Sequence, residues 1–525
     1  MNIAESYDAI PYESTPFADT HPGHLACLGR LYGIETAPPT CCRVLELGCA
    51  SGGNLLPMAA RLPNSEFLGI ELSPEQAEEG AQRVLELGLK NCEIRQANLL
   101  DMQDEGMRFD YIITHGVYSW SPPEVRARIL ELSGQLLSEQ GIAYVSYNSL
   151  PGWRMRGMLR DMLLYHVRGL ESPGDRLAAA RDYLFFLEAG LSELDAAHVE
   201  YLKDEIDRIR TAHPSYLYHE YLENYNDPLL LRDFINSAKE YGLDYVCDIE
   251  LGLQFPSYIG GRAEEMLDSI SDPIERWQQM DFLINRNFHQ SLLCHNTLQP
   301  SRSPDLDQLR EFAWIADLIP PRKLDLRRDK TQPFSNPQGE EINIEHPLTK
   351  AGIALLNNHF PVPMTYKDLL TRASQWVHEK GGGNFAEQED AFLSELFSLY
   401  AVGIIHARPA DMIEESYELS EWQLDAVARL GVTRGDMHIP TRHHASLSMD
   451  PFSSRLVFYL DGSVDRDSLF QKMWADFQPG GVLSDLAAPD TPPDKLASQL
   501  ESNMDRLLTL FRRQGILGQT RAETS

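Results

Sequence analysis

Two glutamates around a glycine-rich turn have the residue types and spacing of a site for a nucleoside. The turn lies in residues 43–54, RVLELGCASGGN, directly after a short apolar run that is typical of a strand. Glycine has no Cβ, so its backbone can approach a ligand closely. Glu46 precedes the turn, and Glu71 stands at the end of the next apolar run, EFLGIEL over 66–72. A carboxylate at that second position accepts hydrogen bonds from ribose hydroxyls in dinucleotide-binding domains.

The charge beside the turn restricts the class of ligand. A dinucleotide fingerprint has the pattern G-x-G-x-x-G, whose glycines receive a pyrophosphate. Here the glycines are Gly48, Gly52 and Gly53, and Glu46 stands just before them. Because a carboxylate repels phosphate, this turn favours a cationic ligand that carries an amino group.

The elements that must position these residues form a predicted doubly wound α/β sheet. The strands are predicted over 43–47, 66–72, 92–97, 110–115 and 141–147, and two of the helices over 74–87 and 124–137. The helix at 74 has a clear start, because Ser73 is a good N-cap and Pro74 suits the first helical position. Such sheets bind ligands outside the carboxyl ends of their strands, where both glutamates would lie.

The pattern E-x-G-C-x-S-G-G-N, with an acid ending the next strand, resembles the class I S-adenosylmethionine-dependent methyltransferases over the first third of the chain. The resemblance implies a Rossmann-like sheet and S-adenosylmethionine as cofactor, with S-adenosylhomocysteine as product. Asn98 and Leu99 match the place that holds the adenine, although the family often has Asp at the first of them. The cofactor residues that we predict are Tyr12, Glu46, Gly48, Cys49, Ala50, Ser51, Gly52, Asn54, Glu71, Leu72, Asn98, Leu99 and His115.

Four further stretches resemble a narrower group, the bacterial methyltransferases that carry a methyltransferase regulatory domain. They read SYDAIPYES, THPGHLA, HGVYSW and YVSYNSLPGW, and the similarity continues into residues 281–295. Some members of that group, of rickettsial type, methylate lysine on outer-membrane proteins. The resemblance therefore implies lysine methylation of a protein partner with exposed lysines, while the acceptor itself stays open.

Aromatic residues on the loops after the fourth and fifth strands are candidates for the lining of the acceptor site. An apolar, aromatic entrance lowers the pKa of a lysine amine by desolvation and tolerates a methylated ammonium through cation–π contact. His115 and His21 are candidate proton acceptors, with a purely hydrogen-bonding role as the alternative. The segment before the first strand offers a lid, or an arm packed on the sheet, at Tyr12, Phe17 and His21. The predicted aromatic lining comprises Tyr118, Trp120, Tyr147 and Trp153.

Composition limits the partners and the compartment. The 525 residues include 46 basic and 78 acidic side chains, a net charge of −32, which argues against nucleic acid and favours a basic protein partner. Seven cysteines without zinc spacing indicate a reducing compartment. The absence of a signal-like leader and of long apolar runs predicts a cytoplasmic protein that does not insert into membranes. No metal is expected, although His438, His443 and His444 share one polar loop.

The chain divides into four predicted regions. Residues 1–155 form the methyltransferase domain, 156–300 a helical middle or regulatory domain, 301–340 a proline-rich linker and 341–525 small winged-helix-like α/β modules. The helical region could also pack on a second copy of the chain in a homodimer. Within it, the aromatic string at 216–225 with Glu220 lines a cavity or serves packing. The alternative function is methylation of a small molecule, with the C-terminal regions regulatory or dimerising, and a binding module without catalysis is the third option.

Overall fold

A seven-stranded sheet forms the centre of the protein in a computed structural model, which describes residues 10, 13–327, 330–381, 389–412, 421–486 and 492–518. The strands are β1 (Arg43–Leu47), β2 (Glu66–Glu71), β3 (Cys92–Gln96), β4 (Phe109–Thr114), β5 (Leu137–Asn148), β6 (Leu243–Asp248) and β7 (Phe288–His295). Their order is β3-β2-β1-β4-β5-β7-β6. β1 to β5 are parallel, and β7 runs antiparallel to β5 and β6. The order reverses between β1 and β4, which makes that point the expected ligand site.

Both faces of the sheet are apolar because each packs against a hydrophobic core. Neighbouring residues of a strand point to opposite faces and so belong to different cores. Val44 and Tyr144 belong to one core, whereas Leu45 and Val145 belong to the other. Strands buried on both faces read as nearly continuous apolar runs, which is why β1 and β4 are visible in the sequence. The described helices up to residue 284 are α1 (Pro22–Leu31), α2 (Leu55–Arg61), α3 (Pro74–Leu87), α4 (Pro123–Leu136), α5 (Gly152–Val167), α6 (Pro173–Leu191), α7 (Ala197–Thr211), α8 (Pro214–Tyr221), α9 (Leu231–Glu240), α10 (Gly261–Asp268) and α11 (Pro273–Ile284).

The region 156–300 differs from the prediction of one helical domain. Helices α5 to α8 surround a core of their own, which includes Leu163, Leu184, Ile206 and Tyr221. β6 and β7 instead extend the central sheet, and β7 pairs with β5 from Ala143 to Asn148. The sheet therefore continues to residue 295, well beyond the predicted boundary at 155.

The C-terminal half forms two units. Its elements are β8 (Phe312–Ile315), β9 (Gln332–Ser335), β10 (Glu341–Ile344), α12 (Pro347–His359), β11 (Met364–Thr365), α13 (Tyr366–Glu379), α14 (Glu389–Ala401), β12 (His406–Pro409), α15 (Ala426–Arg434), β13 (His438–Pro440), β14 (Ser446–Ser448), α16 (Pro451–Tyr459), α17 (Arg466–Phe477) and α18 (Pro493–Arg513). The first unit, with the three-stranded sheet β11-β8-β12, shares a core with α1. The second unit, α15 to α18, has a separate core. The α/β fold class with winged-helix-like C-terminal modules is confirmed.

Residues 301–340 are not the exposed linker that their prolines and charges predict. β8 is the central strand of the three-stranded sheet, and both Phe312 and Trp314 are fully buried. The apolar run FAWI has only four residues, and the prolines and charges on either side of it make it hard to recognise as a strand in the sequence.

Among the described residues, no helix has the length and apolar character needed to cross a membrane.

Candidate functional site

A cavity of about 470 Å³ opens at the carboxyl ends of the parallel strands. The turn after β1 forms one wall, and Gly48, Cys49, Ala50 and Asn54 line it. Gly48 has a φ of +80°, and a Cβ built on it would lie 2.5 Å from Cγ2 of Val117. Only glycine fits there, so the turn offers its backbone to whatever occupies the cavity.

Glu71, at the end of β2, fixes this turn and also lines the cavity with Leu72. Its carboxylate accepts hydrogen bonds from the backbone N–H of Ala50 at 2.9 Å and of Ser73 at 2.8 Å. A carboxylate has about four lone-pair positions, so one that holds a backbone turn can also accept the hydroxyls of a ribose.

Glu46 is buried beneath the turn and has one unsatisfied oxygen. Its Oε1 accepts a hydrogen bond from Nδ2 of Asn54 at 2.8 Å, while its buried Oε2 has no partner among the described residues. Burial raises the pKa of Glu46 to about 7, the Asn54 hydrogen bond opposes this, and the nearby Glu71 adds to it. An ammonium group in the cavity would satisfy the free oxygen and stabilise the charged carboxylate.

The segment after β3 supplies an amide and an apolar side chain. Asn98 and Leu99 both line the cavity. Oδ1 of Asn98 accepts a hydrogen bond from the N–H of Leu100 at 3.0 Å, which caps the short 3₁₀ turn Leu99–Asp101. The carbonyl oxygen can accept a second bond and the amide nitrogen can donate, so this side chain can contact the edge of a purine.

His115, directly after β4, lines the cavity but is a weak base. Its Nδ1 is 2.7 Å from the hydroxyl of Tyr144, and its ring lies 3.9 Å from that of Phe17 between centroids. Burial lowers the pKa of His115 to about 4, with partial compensation from Asp19. A ring of such low basicity is a poor proton acceptor near neutral pH, which argues against the predicted role of His115 in proton transfer.

Sequence models of three families match separate parts of the chain. They are a methyltransferase domain at residues 44–141, a predicted methyltransferase regulatory domain at 213–295 and the C-terminal winged helix domain of PKMT at 423–516. An uncharacterized protein of Rickettsia prowazekii, RP789, is 30% identical over 97% of this chain and 93% of its own length. The structure of PKMT2 from Rickettsia typhi superposes with a TM-score of 0.81 at 26% identity, covering 96% of this chain and 99% of that one. Its complex with AdoHcy gives 0.81 at 27% identity, with coverage of 97% and 99%.

The chain belongs to the rickettsial-type class I S-adenosylmethionine-dependent methyltransferases. The residues present fit this cofactor, because the orphaned Oε2 of Glu46 suits its amino group and the Gly48 cradle suits close approach.

The aromatic residues predicted to line the acceptor site mostly serve packing in this methyltransferase. Trp120 lines the cavity, but Tyr118, Tyr147 and Trp153 are buried outside its wall. Tyr147 stacks on Phe234 at 4.1 Å between ring centroids, and Tyr118 meets the same ring edge-on at 5.5 Å. The acceptor role predicted for these three buried aromatic residues is thus replaced by a packing role.

Three other predicted residues also lie outside the cavity wall. His21 is the N-cap of α1, where its Nδ1 accepts the N–H of Gly23 at 3.0 Å, and burial lowers its pKa well below the usual range. This position replaces its predicted roles as proton acceptor and lid. Ser51 is buried, and Gly52 packs near Ile94 and Leu56 instead of facing the cavity. Tyr12 lies outside the described residues, whereas Phe17, the remaining lid candidate, lines the cavity.

A second wall of the cavity contains residues that the predicted site omits. Arg156 of α5, Tyr216 and Glu220 of α8, Asn148 at the end of β5 and Phe288 at the start of β7 all line it. The aromatic string at 216–225 is the sequence signal for this wall. A stripe of that kind cannot be told from packing without the fold, because Tyr218 and Tyr221 of the same string are buried in the helical core.

The winged-helix unit reaches the wall of the cavity that is formed by the turn after β1. Nε2 of His444 is 2.8 Å from Oδ1 of Asn54, whose amide nitrogen donates to Glu46. His438 contacts Glu13, a lining residue, with 2.5 Å between Nδ1 and Oε1. No group of three or more metal-ligand side chains occurs among the described residues, and His444 instead serves this hydrogen bond.

Proposed function

We propose that this methyltransferase transfers methyl groups to lysine side chains of a protein. The observation that carries the proposal is the second wall of the cavity, where Trp120, Tyr216 and Phe288 line the same continuous space as the predicted cofactor residues. An aromatic channel admits a long aliphatic chain that ends in an amine and retains it after methylation. The similarity to PKMT2 from Rickettsia typhi adds to the family resemblance, which implies a lysine acceptor.

In the proposed cofactor site, each residue binds a different chemical group of S-adenosylmethionine. S-adenosylmethionine supplies an electrophilic methyl group on a cationic sulfur. In this proposal Glu46 binds its amino group, Glu71 its ribose hydroxyls, and Asn98 with Leu99 the adenine. The turn containing Gly48 closes around the remaining surface, so that the chain contributes mainly position to an in-line transfer.

The aromatic wall also prepares the amine. A free lysine has a pKa of about 10.4 and must lose a proton before its nitrogen can attack. Removal from water disfavours the ammonium form, which lowers the pKa of the amine and makes the loss of its proton easier. The net charge of −32 favours a basic segment as the protein partner. An outer-membrane protein is the candidate substrate that the family resemblance implies.

Methyl-labelled S-adenosylmethionine, incubated with the protein and separated fractions of a bacterial lysate, tests the proposal. Label that migrates with protein and disappears into peptides after protease treatment is expected. Label that remains in a small molecule, untouched by protease, would favour the alternative of a small-molecule acceptor.

A further inference from the structure

Glu220 stands out in the second wall because its carboxyl group has no partner among the residues that the structure describes. It lies on α8, is partly buried and lines the cavity. The described residues offer it no hydrogen bond and no ion pair. The nearest candidate, Arg156 on α5, is engaged elsewhere, with its Nε 3.5 Å from Oε1 of Glu205.

Glu205, one helix away, shows what a structural glutamate looks like in this cluster. It is fully buried and bonded to the hydroxyl of Tyr221, and it pairs with Arg156 and with Arg208 at 3.2 Å. Glu220 has none of these bonds although it belongs to the same group of helices. A carboxyl group that faces a cavity without a protein partner has its hydrogen-bonding capacity free for a ligand.

The surroundings of Glu220 hold its pKa near neutral pH. Burial raises its pKa to about 7, against the opposing effects of Arg156, His219 and Arg160, while Glu205 adds to the rise. Such a group is mostly ionised in mildly alkaline solution and takes up a proton readily near neutral pH.

We propose that Glu220 binds the ammonium group of the acceptor lysine and takes its proton before methyl transfer. This inference rests on the proposed lysine methylation. Tyr216 and Trp120, in the same cavity, enclose the aliphatic stem, and the carboxylate receives its end.

The step balances in protons and electrons. One proton passes from Nζ of the lysine to a carboxylate oxygen of Glu220, which becomes neutral. The nitrogen lone pair then forms the new N–C bond as the C–S bond breaks, with its electron pair returning to the cationic sulfur. Glu220 then releases its proton to solvent, and the product leaves as a methylated ammonium.

Binding of n-butylammonium to the protein saturated with S-adenosylhomocysteine tests this site without requiring turnover. The wild type should bind n-butylammonium at least about ten-fold more tightly than 1-butanol at mildly alkaline pH, because only the first carries a charge for Glu220. Glu220→Gln should lose that preference while keeping its affinity for S-adenosylhomocysteine. Glu200→Gln, the same change at an exposed site on α7, serves as the matched control and should behave as wild type.

The proposal would be overturned if Glu220→Gln and the wild type preferred n-butylammonium over 1-butanol equally. It would also be overturned if the wild type showed no such preference. With a labelled protein acceptor, Glu220→Gln should lower kcat by about 10²-fold or more and remove the fall in rate below about pH 7. If the amine preference is present but lysate proteins receive no label, the proposed protein substrate fails while the amine site stands.

Discussion

At the scale of single residues, Glu46 and Glu220 are two carboxyl groups in one cavity with different surroundings. Both have a pKa raised to about 7 by burial, but Glu46 is hydrogen bonded to Asn54 beneath the turn, while Glu220, on the second wall, has no partner in the described part of the chain. In our account each receives a cationic nitrogen, the first from the cofactor and the second from the acceptor. Two separate sites for positive charge suit a reaction between a cationic donor and an amine.

The Glu46 assignment predicts a pH dependence of cofactor binding. The free carboxyl is largely protonated below about pH 7, and a bound ammonium favours its ionised form, so binding releases a proton. The affinity for S-adenosylhomocysteine should therefore fall by about ten-fold between about pH 8 and about pH 6. Calorimetry at several pH values measures this.

Matched variants separate the two carboxyl groups in that titration. Glu46→Gln should bind more weakly and with little pH dependence, whereas Glu220→Gln should keep the wild-type profile. An affinity of the wild-type protein that does not change over this range would contradict the role of Glu46.

At the scale of elements, the turn after β1 is the structure that the sequence specifies best. Its glycines, the apolar strand before it and the acid ending β2 are local signals, and each follows from backbone geometry. Local sequence does not determine which way the side chains point near the ends of β4 and β5. Tyr147 and Asn148 are neighbours on β5, yet alternation sends the first into the core and the second to the cavity. The sequence therefore could not say which aromatic residues face the acceptor.

The sequence leaves the wall built from α5 and α8 as one of two alternatives, cavity lining or packing, for a different reason. α8 is distant in sequence from the parallel strands, and its place in the wall depends on how the helices α5 to α8 pack beside β5. The parallel pairing Ser149↔Leu229 and the hydrogen bond from Asn148 to Asn226 attach the segment after α8 to the end of that strand. Such contacts are set by tertiary packing, and no periodic signal announces them.

Gly48→Ala tests the cradle against a matched control. Alanine at a positive φ costs about 1–2 kcal/mol in either variant, and Gly88→Ala has the same penalty at the end of α3 with open space around its Cβ. Both variants should lower thermal stability. Only Gly48→Ala should also weaken S-adenosylhomocysteine binding, because its Cβ would displace Val117. Equal affinity in the two variants would argue against close backbone approach at Gly48.

At the scale of the whole molecule, the winged-helix unit is joined to the proposed cofactor site. It contacts the sheet domain through Arg83 with Asp436 at 2.6 Å, Arg61 with Asp425 at 3.4 Å, and His444 with Asn54. The last contact continues to Glu46 through the Asn54 amide. In this arrangement the C-terminal unit completes the support of the site.

His444→Ala should weaken cofactor binding although His444 itself does not line the cavity. The change removes one hydrogen bond of about 0.5–1.5 kcal/mol from Oδ1 of Asn54, which keeps its bond from the Phe17 N–H at 3.0 Å, and should reduce affinity for S-adenosylhomocysteine several-fold. Arg434→Ala, which breaks the more exposed pair with Glu86 in the same unit, is the control and should leave the affinity unchanged. A His444→Ala protein with wild-type affinity would show that the unit does not support the site.

The central claim is most directly tested by locating the transferred methyl group. The protein should be incubated with methyl-labelled S-adenosylmethionine and lysate fractions, and the labelled proteins hydrolysed to amino acids. Our account predicts that the label is recovered as methylated lysine and is strongly reduced with Glu71→Ala, because that change removes the proposed ribose contacts and the support of Ala50. Label recovered on another amino acid, or only in small molecules, would contradict it.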